Sequence, residues 1–293
     1  IDNLGHQWDV KSAVCGYHYT LYMGGPFNEK PHLVYFYHHR NKGFPLLLDM
    51  PNNHYPIHIF GGKNRCAAID EEGGIYIIHK SLFDTPRSER MIRLTLPNKE
   101  FPACLTCDDK FMIVSTMTGK TYGLGQLGED LETGQCRSFD TFQELKELSS
   151  MKIIQVSGTY NHAMAVSEDG KAYAFGSNQY GQLGLGKEIF NATHFIQVEK
   201  LSGMKVLAAN CGSYHTLFRT EGGKVFSCGF NGSNQLFLES GPSQKQFFDP
   251  METVIKKGAT FCLSGDGTSV IFVDCPVPKN QPNFSLYGKE IPK

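Results

Sequence analysis

Several common features are scarce in this sequence, and each scarcity excludes a class of structure. No apolar run approaches the length of about eighteen residues that a membrane-spanning helix requires, so we expect no membrane partner. Helical spacing is confined to residues 142–148, which are enough for only one or two turns. Tryptophan occurs once, as Trp8. Long helices and a tryptophan-based site are therefore not expected.

An excess of charge of either sign is also missing. The chain has 28 basic and 29 acidic residues and a net charge of −1. Proteins that bind nucleic acid gain most of their affinity by neutralising phosphates, which needs a basic surface. The charge balance argues against nucleic acid as a partner.

The cysteine count favours a reducing compartment. Nine cysteines, an odd number, are scattered along a chain that is too large to need disulfide bonds for its stability. We therefore expect an intracellular protein, cytoplasmic or nuclear. The sequence does not begin with methionine, and we expect it to be one module of a larger protein.

Glycine is abundant, and it falls within a repeat. Residues 151–184 align with residues 204–237 at a single offset of 53 residues. A third copy at 107–130 is five residues shorter, so we expect one surface loop to be clipped there. Weaker copies surround these three. The repeated unit decides the architecture, because each unit must bury its faces against its neighbours.

In each of six units, we take the residue that directly follows the histidine position as an anchor. The anchors are 46 to 53 residues apart: Thr20, Cys66, Met112, Ala163, Thr216 and Cys262. They divide a single domain, residues 1–293, into units at about 10–55, 56–100, 101–150, 151–202, 203–254 and 255–280, with a tail at 281–293.

Each unit contains a β-hairpin. In the fourth unit the apolar run 163–166 is followed by Asp169-Gly170 and by the alternating run 171–175, which predicts a buried strand, a glycine turn and a strand nearer the outside. A single sheet of this kind cannot bury both faces. Radial stacking of the units solves the problem, so the sequence predicts an all-β β-propeller with six recognisable units, that is, six or seven blades.

The hairpin leads into a tight loop, FGSNQYGQLGLG (175–186). Its glycines permit positive φ angles, its amide side chains can satisfy turn backbone groups, and its leucine can fill the gap between sheets. We assign this structural role in two units to Gly176, Asn178, Gly181, Gln182, Leu183, Gly184, Gly229, Asn231, Gln235 and Leu236.

This loop, with the Asp-Gly hairpin before it, resembles the regulator of chromosome condensation repeat. The motif is complete in 151–202, good in 203–254 and partial in 101–150. The resemblance implies a propeller usually of seven blades. With six units counted, one blade is assembled from both termini, or is too degenerate to recognise, or the chain is incomplete.

The same resemblance implies several uses: a nucleotide exchange factor for the small GTPase Ran, ubiquitin-ligase modules and a plant ultraviolet-B receptor. The exchange factor implies a long inserted wedge and a basic N-terminal tail, and neither is evident here. The photoreceptor implies a tryptophan cluster, which this chain lacks. A protein partner, such as a small GTPase, remains the expectation that the family supports.

Few residues suggest chemistry. Cys104 and Cys107 have the spacing of a metal-binding pair, but a second pair is missing, and we interpret them as buried strand residues. His162 and His215 occupy one repeat position, which favours structural histidines over a catalytic one. No P-loop, dinucleotide fingerprint, HExxH motif or catalytic triad occurs, so we expect no cofactor and no metal.

The loops just before the anchors vary between units and are polar or aromatic. In a propeller these loops gather on one face, and tyrosine and arginine dominate interface hot spots. The candidate partner-binding residues are Tyr17, Tyr19, Arg65, Asp108, Asp109, Tyr160, Asn161 and Tyr214. Two alternatives stay open: the tyrosine rings pack between blades, or the charged members line an enzyme site at the channel mouth.

Together these features predict a non-catalytic protein-interaction propeller, a scaffold or regulatory module of a larger intracellular protein. A guanine nucleotide exchange factor for a small GTPase is the first alternative. A chromatin-associated binder is the second.

Overall fold

A computed structural model describes residues 8–26, 29–37, 46–78, 90–108, 110–129, 136–238, 245–264 and 267–274. Sheet 1 contains β1 (Trp8–Cys15), β2 (Tyr19–Pro26), β3 (His32–Tyr37) and β4 (Leu46–Leu48), and sheet 2 contains β5 (Pro56–Gly61), β6 (Cys66–Asp70), β7 (Ile75–Ile78) and β8 (Met91–Leu94). Sheet 3 contains β9 (Pro102–Cys107), β10 (Phe111–Thr116), β11 (Thr121–Glu129) and β12 (Cys136–Glu144).

The second half of the chain repeats this order. Sheet 4 contains β13 (Ile153–Thr159), β14 (His162–Ser167), β15 (Ala172–Ser177) and β16 (Asn191–Gln197). Sheet 5 contains β17 (Val206–Cys211), β18 (His215–Thr220), β19 (Val225–Phe230) and β20 (Gln246–Glu252), and sheet 6 contains β21 (Ala259–Ser264) and β22 (Ser269–Val273). Single 3-10 turns lie at Pro51–Asn53, Pro97–Lys99, Lys146–Leu148 and Glu199–Leu201.

Every sheet is antiparallel, and its strands are paired in chain order. The first strand of each sheet is innermost, and residues from β1, β5, β9, β13, β17 and β21 surround one central cavity of about 420 Å³. The predicted all-β propeller is confirmed, with six sheets in the described part of the chain. Among those residues no helix has the length and apolar character needed to cross a membrane.

The core lies between the sheets. One apolar cluster joins sheets 1 and 2, a large one joins sheets 2 to 4, another joins sheets 4 and 5, and a small one joins sheets 5 and 6. All six residues of β14 are buried, and so are all six of β15. Strands covered on both faces read as continuous apolar runs, which explains why the hairpin of sheet 4 was recognisable from sequence.

Hydrogen bonds from side chains on the inner part of the ring hold neighbouring sheets in register. The Tyr19 hydroxyl in sheet 1 donates to the Gly62 carbonyl of sheet 2 at 2.8 Å, and the Thr106 hydroxyl in sheet 3 donates to the Gly158 carbonyl of sheet 4, also at 2.8 Å. Similar bonds continue the ring: Cys107 Sγ to the Arg65 carbonyl, the Cys211 amide to Ser157 Oγ, and Ser264 Oγ to the Asn210 carbonyl. Buried backbone groups are thereby satisfied across each sheet boundary.

The loop after the third strand is built on its asparagine. The Asn178 amide donates to the Gly186 carbonyl at 3.0 Å and to the Ile189 carbonyl at 2.6 Å, while its Oδ1 accepts from the Leu183 amide at 2.9 Å. In sheet 5 the Oδ1 of Asn231 accepts from the Leu236 amide at 3.0 Å. The two glutamines make equivalent hydrogen bonds. Oε1 of Gln182 and Oε1 of Gln235 each accept from the backbone amide two residues earlier.

This loop also docks on the next sheet. Leu183 is fully buried in the cluster between sheets 4 and 5. The Gln182 carbonyl accepts a hydrogen bond of 2.7 Å from the Thr216 hydroxyl of β18. Gly181 and Gly184 have φ angles of +87° and +68°, in the region that favours glycine. The loop therefore links two sheets.

Three sequence-based expectations need correction. The recognised hairpin is the second and third strand of each sheet, and the innermost strand was not identified. The sixth anchor is wrong: Cys262 lies on inner strand β21, whereas Ser269 pairs with Ser264 as Thr216 pairs with Cys211. The expected clipped loop in sheet 3 is instead a continuation of β11 (Thr121–Glu129). The predicted tail, 281–293, lies outside the described residues.

Replacing Gly176 by alanine tests the role of its backbone conformation. Gly176 has a φ of +101°, and an added Cβ would lie 2.2 Å from the Asn161 carbonyl oxygen. Gly203 also has a positive φ, +82°, but no atom lies within 4 Å of its Cβ position. We expect Gly203→Ala to cost about 1 kcal/mol from strain alone, and Gly176→Ala to cost about 1–3 kcal/mol more. Urea unfolding measures both, and equal costs would contradict the role of the close contact.

Candidate protein-interaction face

The turns between the first and second strands lie at one end of the propeller, around the mouth of the central cavity. Tyr17, Lys63, Thr159 and Ser213 come from four of these turns or the strand ends beside them, and all four line the cavity. We call the aromatic and cationic side chains at this end the mouth face: Tyr17, Lys63, Tyr160, Tyr180, Tyr214 and Phe230.

Four aromatic rings of the mouth face form a continuous row. The Tyr160 and Tyr214 ring centroids are 5.4 Å apart at an interplanar angle of 73°, and those of Tyr180 and Tyr214 are 4.9 Å apart at 60°. Phe230 extends the row, with its centroid 5.7 Å from that of Tyr180. These edge-to-face arrangements are favourable for aromatic pairs. The row therefore crosses from sheet 4 to sheet 5.

A lysine connects this row to sheet 1. The Lys63 ammonium lies 4.3 Å from the Tyr160 ring centroid and 5.7 Å from the Tyr17 centroid. Both distances are within the range of cation–π attraction. Tyr17 is 58% exposed and Tyr160 is 40% exposed. The result is a partly exposed surface contributed by four sheets.

Asp108 fixes the position of Tyr160. Its carboxylate, 2% exposed, accepts hydrogen bonds from the Tyr160 amide and from the Thr159 hydroxyl, the latter at 3.3 Å. Tyr160 has a φ of +61°, which is uncommon for a bulky residue and needs support from its surroundings. A buried acid of sheet 3 thus stabilises the exposed turn of sheet 4.

The structure separates the predicted partner residues into two groups. Tyr17 and Tyr160 are exposed, while Arg65, Asn161 and Tyr214 are half-buried. Tyr19 is 3% exposed and stacks on Tyr35 with a centroid distance of 5.6 Å, and Asp108 is also buried. Both are inaccessible to a partner because they bond to neighbouring sheets. Asp109 lies outside the described residues.

Two aromatic members of the mouth face were missed by sequence reasoning. Tyr180 and Phe230 follow the third strands of sheets 4 and 5, in or just before loops that were interpreted only as structural. Both are half-buried. An aromatic residue within or next to the Asn-x-x-x-Gln motif, at a position where the motif does not require one, is the sequence signal that could have identified them.

Comparison with known proteins identifies the repeat. A family model described as the regulator of chromosome condensation (RCC1) repeat matches residues 169–219, and a second model of the same description matches residues 153–182 and 206–235. The chain therefore contains RCC1 repeats, which the two models match within residues 153–235. Both matches fall on sheets 4 and 5, where the loop motif is most complete.

Individual relatives of this RCC1-repeat chain are longer proteins. The ultraviolet-B receptor UVR8 of Arabidopsis thaliana is 31% identical over 186 residues, which cover 61% of this chain and 42% of the receptor. The probable E3 ubiquitin-protein ligase HERC6 of Homo sapiens is 27% identical over 171 residues, covering 57% of this chain and 17% of the ligase. The chain therefore spans less than half the length of these curated relatives.

A solved structure agrees with the fold. Prp20p from Saccharomyces cerevisiae superimposes with a TM-score of 0.71 at 15% identity, over 90% of this chain and 68% of the Prp20p chain. Likeness at this level of identity establishes the propeller architecture and nothing about binding.

The cysteine pair of this RCC1-repeat chain is buried between sheets. Cys104 and Cys107 are fully buried, and their sulfurs reach in opposite directions, to the Val156 carbonyl of sheet 4 and the Arg65 carbonyl of sheet 2, at 3.6 Å each. Burial raises the pKa of the Cys104 thiol to about 12. A protonated thiol is a poor metal ligand and a poor nucleophile.

One cluster has the ligand types that a metal needs. His54, Asp70 and Glu71 place one ligand atom each within 4.8 Å of one another. The Asp70 carboxylate, however, already accepts from the Gly74 amide at 2.6 Å and pairs with the Arg93 guanidinium at 3.2 Å. A cation beside Arg93 would meet like charge, so we interpret the cluster as a turn-stabilising ion pair.

The two repeated histidines are buried and contact hydroxyl groups of the next sheet. His162 is fully buried, and its Nε2 lies 3.1 Å from the Thr216 hydroxyl, which itself donates to Gln182. The imidazole therefore donates to Thr216. Burial lowers the pKa of His162 to about 3, with a smaller contribution from the charge of the neighbouring His215. His215 repeats the contact, with Nε2 2.7 Å from Ser269 Oγ.

The lowered pKa of His162 predicts a pH dependence of stability. Between about pH 6.5 and 3 the unfolded chain binds a proton at this residue that the folded chain does not, so the free energy of unfolding falls as the pH falls, by about 1.4 kcal/mol per pH unit. We expect His162→Gln to remove this component, about 2.5 kcal/mol between pH 7 and 4.5. Urea unfolding at both pH values measures it, and parallel curves for the two proteins would refute the assignment.

Removing the Asp108 carboxylate tests its hold on the Tyr160 turn. We expect Asp108→Ala to leave the Tyr160 amide without its acceptor and to speed hydrogen exchange of that amide at least about tenfold. Asp140→Ala, at an exposed position on β12, is the matched control and leaves that rate unchanged. Equal exchange in all three proteins would show that Asp108 does not support the turn.

Proposed function

We propose that this RCC1-repeat chain is a non-catalytic protein-interaction propeller, and that its mouth face binds a protein partner. The observation that carries the proposal is the partly exposed row of aromatic rings joined by Lys63 to Tyr17. Tyrosine is enriched among the residues that dominate interface energies. Binding residues are also typically carried on loops that a rigid scaffold positions.

The preorganisation of this face supports the proposal. Tyr160 is held by Asp108 below it and by Lys63 above its ring. A partner therefore has few side chains to order on binding, and ordering each free side chain would cost about 0.5–1.5 kcal/mol. Rigid aromatic anchors with half of their surface exposed suit a specific interface better than a merely solvated loop.

The comparisons support a modular role. HERC6 is named a probable ubiquitin-protein ligase, and the similar region makes up 17% of it. By analogy, we propose that this propeller is a scaffold or regulatory module of a larger intracellular protein. Prp20p is described as binding Gsp1p and histones, so a small GTPase or a histone is a partner class that the experiment must distinguish.

Two substitutions in the mouth face test the proposal. We expect Tyr17→Ala combined with Tyr160→Asn to reduce retention of a bound protein at least tenfold, because the loss of a hot-spot aromatic typically costs about 2 kcal/mol or more. Asparagine is chosen at position 160 because it tolerates positive φ. The measurement is affinity capture from a lysate of the source cells, followed by mass spectrometry and by titration with the purified partner.

Met251→Ala is the matched control, since Met251 is 46% exposed on the outermost strand of sheet 5. A partner lost by the double variant and kept by the control supports the mouth face. A partner bound equally by all three proteins contradicts it. Capture is repeated with EDTA: a GTPase retained without nucleotide, and released by GTP, would favour the exchange-factor alternative.

A further inference from the structure

The central cavity is large enough to hold part of another molecule. Its volume of about 420 Å³ lies within the range of roughly 300–1,000 Å³ that is typical of small-ligand sites. It reaches the mouth face, where Tyr17 and Lys63 form part of its wall. On the inner strands the described wall combines apolar residues, such as Leu105, with polar ones, such as Ser157. Such a wall suits a ligand that has both apolar surface and polar atoms.

One position of the inner strands recurs around the cavity wall. It is the residue just before the one that pairs with the anchor of its sheet. In sheets 3 and 4 this side chain joins its sheet to the next. The Thr106 hydroxyl donates to the Gly158 carbonyl at 2.8 Å, and Ser157 Oγ accepts from the Cys211 amide at 3.1 Å. In sheets 2 to 6 the position is occupied by Phe60, Thr106, Ser157, Asn210 and Leu263, which all line the cavity.

Asn210 differs from Thr106 and Ser157 at this position. It is 8% exposed, and its side-chain Nδ2 is buried without a hydrogen-bond partner among the described residues. Leaving a buried N–H donor without an acceptor is unfavourable, and nearly all such groups in proteins are bonded to protein, water or a ligand. The Asn210 side chain therefore offers a hydrogen-bond donor to an acceptor that enters the cavity.

Lys63 supplies a positive charge at the entrance of the cavity. Of the lining residues that the structure describes, it is the only one that is charged at neutral pH. Its ammonium lies 4.3 Å from the Tyr160 ring centroid, and within the described part of the chain it forms no ion pair. Asp108, the buried acid at this end of sheet 3, binds the Tyr160 amide and the Thr159 hydroxyl. The entrance therefore favours an anionic group.

An acidic peptide segment carries both of the groups that Lys63 and Asn210 need. Its side-chain carboxylate can pair with an ammonium, and each of its backbone carbonyls can accept from an amide N–H. The cavity and the mouth face share Tyr17 and Lys63. A protein bound to the mouth face would therefore have its chain at the entrance of the cavity.

We propose that the partner inserts an acidic peptide segment into the central cavity, where a carboxylate pairs with Lys63 and a backbone carbonyl accepts from Asn210. This inference rests on the proposed function, because it names the chemistry of the partner that the mouth face binds. Asn210 does not belong to the mouth face, so its contribution can be tested separately from that of the aromatic row.

Two peptides that differ in one group test the assignment. Acetyl-Ala-Glu-Ala-amide carries the carboxylate, and acetyl-Ala-Gln-Ala-amide is its neutral counterpart. NMR titration of the whole chain follows binding through the side-chain amide signal of Asn210, which is identified by its absence from Asn210→Leu. We expect both peptides to shift this signal, and the Glu peptide to bind about three- to fivefold more tightly because of its ion pair.

Two variants separate the roles of the two residues. We expect Lys63→Gln to remove the preference for the Glu peptide and to keep the affinity for the Gln peptide. Asn210→Leu should weaken both peptides alike, about five- to tenfold, because both offer backbone carbonyls. The backbone amide of Ser213, which also lines the cavity, reports binding in the variants. Lys187→Gln, at a lysine that is 80% exposed, is the matched control and binds both peptides as the wild-type chain does.

Circular dichroism verifies that the variants are folded. Leucine is chosen because Leu263 occupies the equivalent position of sheet 6. Asn210→Ser, which introduces the shorter residue found there in sheet 4, replaces it if leucine disturbs the fold, and the same loss of affinity is expected.

Three results would overturn the proposal. Peptides that shift no signal of the cavity wall, or that bind all variants equally, show that the cavity does not take an acidic segment. Glutarate, a small dicarboxylate without a peptide group, would assign the cavity to a small acid if it bound as tightly as the Glu peptide. A partner captured through the mouth face and retained equally by Asn210→Leu does not enter the cavity, and in that case the proposed function still stands.

Discussion

Contact between neighbouring sheets is the interaction on which the rest of this molecule depends. A four-stranded sheet whose middle strands are apolar on both faces cannot be stable in water alone, and β14 and β15 are such strands. The apolar clusters accordingly lie between sheets, and side-chain hydrogen bonds such as Thr106 to Gly158 fix how one sheet sits on the next. The alignment of neighbouring sheets, the central cavity and the positions of the exposed turns all follow from these contacts.

The mouth face is a consequence of that arrangement. Tyr160 belongs to sheet 4, its backbone is held by Asp108 of sheet 3, and its ring is covered by Lys63 of sheet 2. No single repeat contains the surface, so it exists only when several sheets are assembled. The buried contacts between sheets therefore determine which side chains are exposed on the mouth face. A substitution of a buried residue in one sheet, such as Asp108, is expected to alter the exposed surface of the next sheet.

Sequence alone predicted the repeat, the hairpins and the loop motif, because glycines with positive φ and continuous apolar strands leave a local pattern. It did not predict the innermost strands, whose alternation is broken by irregular pairing near Ile153. Nor could it separate Tyr17 from Tyr19, two residues apart. Tyr17 lies in a turn, whereas Tyr19 begins a strand and its hydroxyl donates a hydrogen bond to sheet 2. Accessibility is set by the neighbouring sheet, which is distant in sequence.

The loop that follows the third strand of sheet 4 also imposes an order on folding. The loop of sheet 4 is complete only when Leu183 meets its apolar neighbours in sheet 5 and Gln182 receives the Thr216 hydroxyl. Those partners are synthesised roughly one repeat later, which takes a few seconds at about 5–20 residues per second. The loop of sheet 4 therefore cannot be completed until the first strands of sheet 5 have been synthesised.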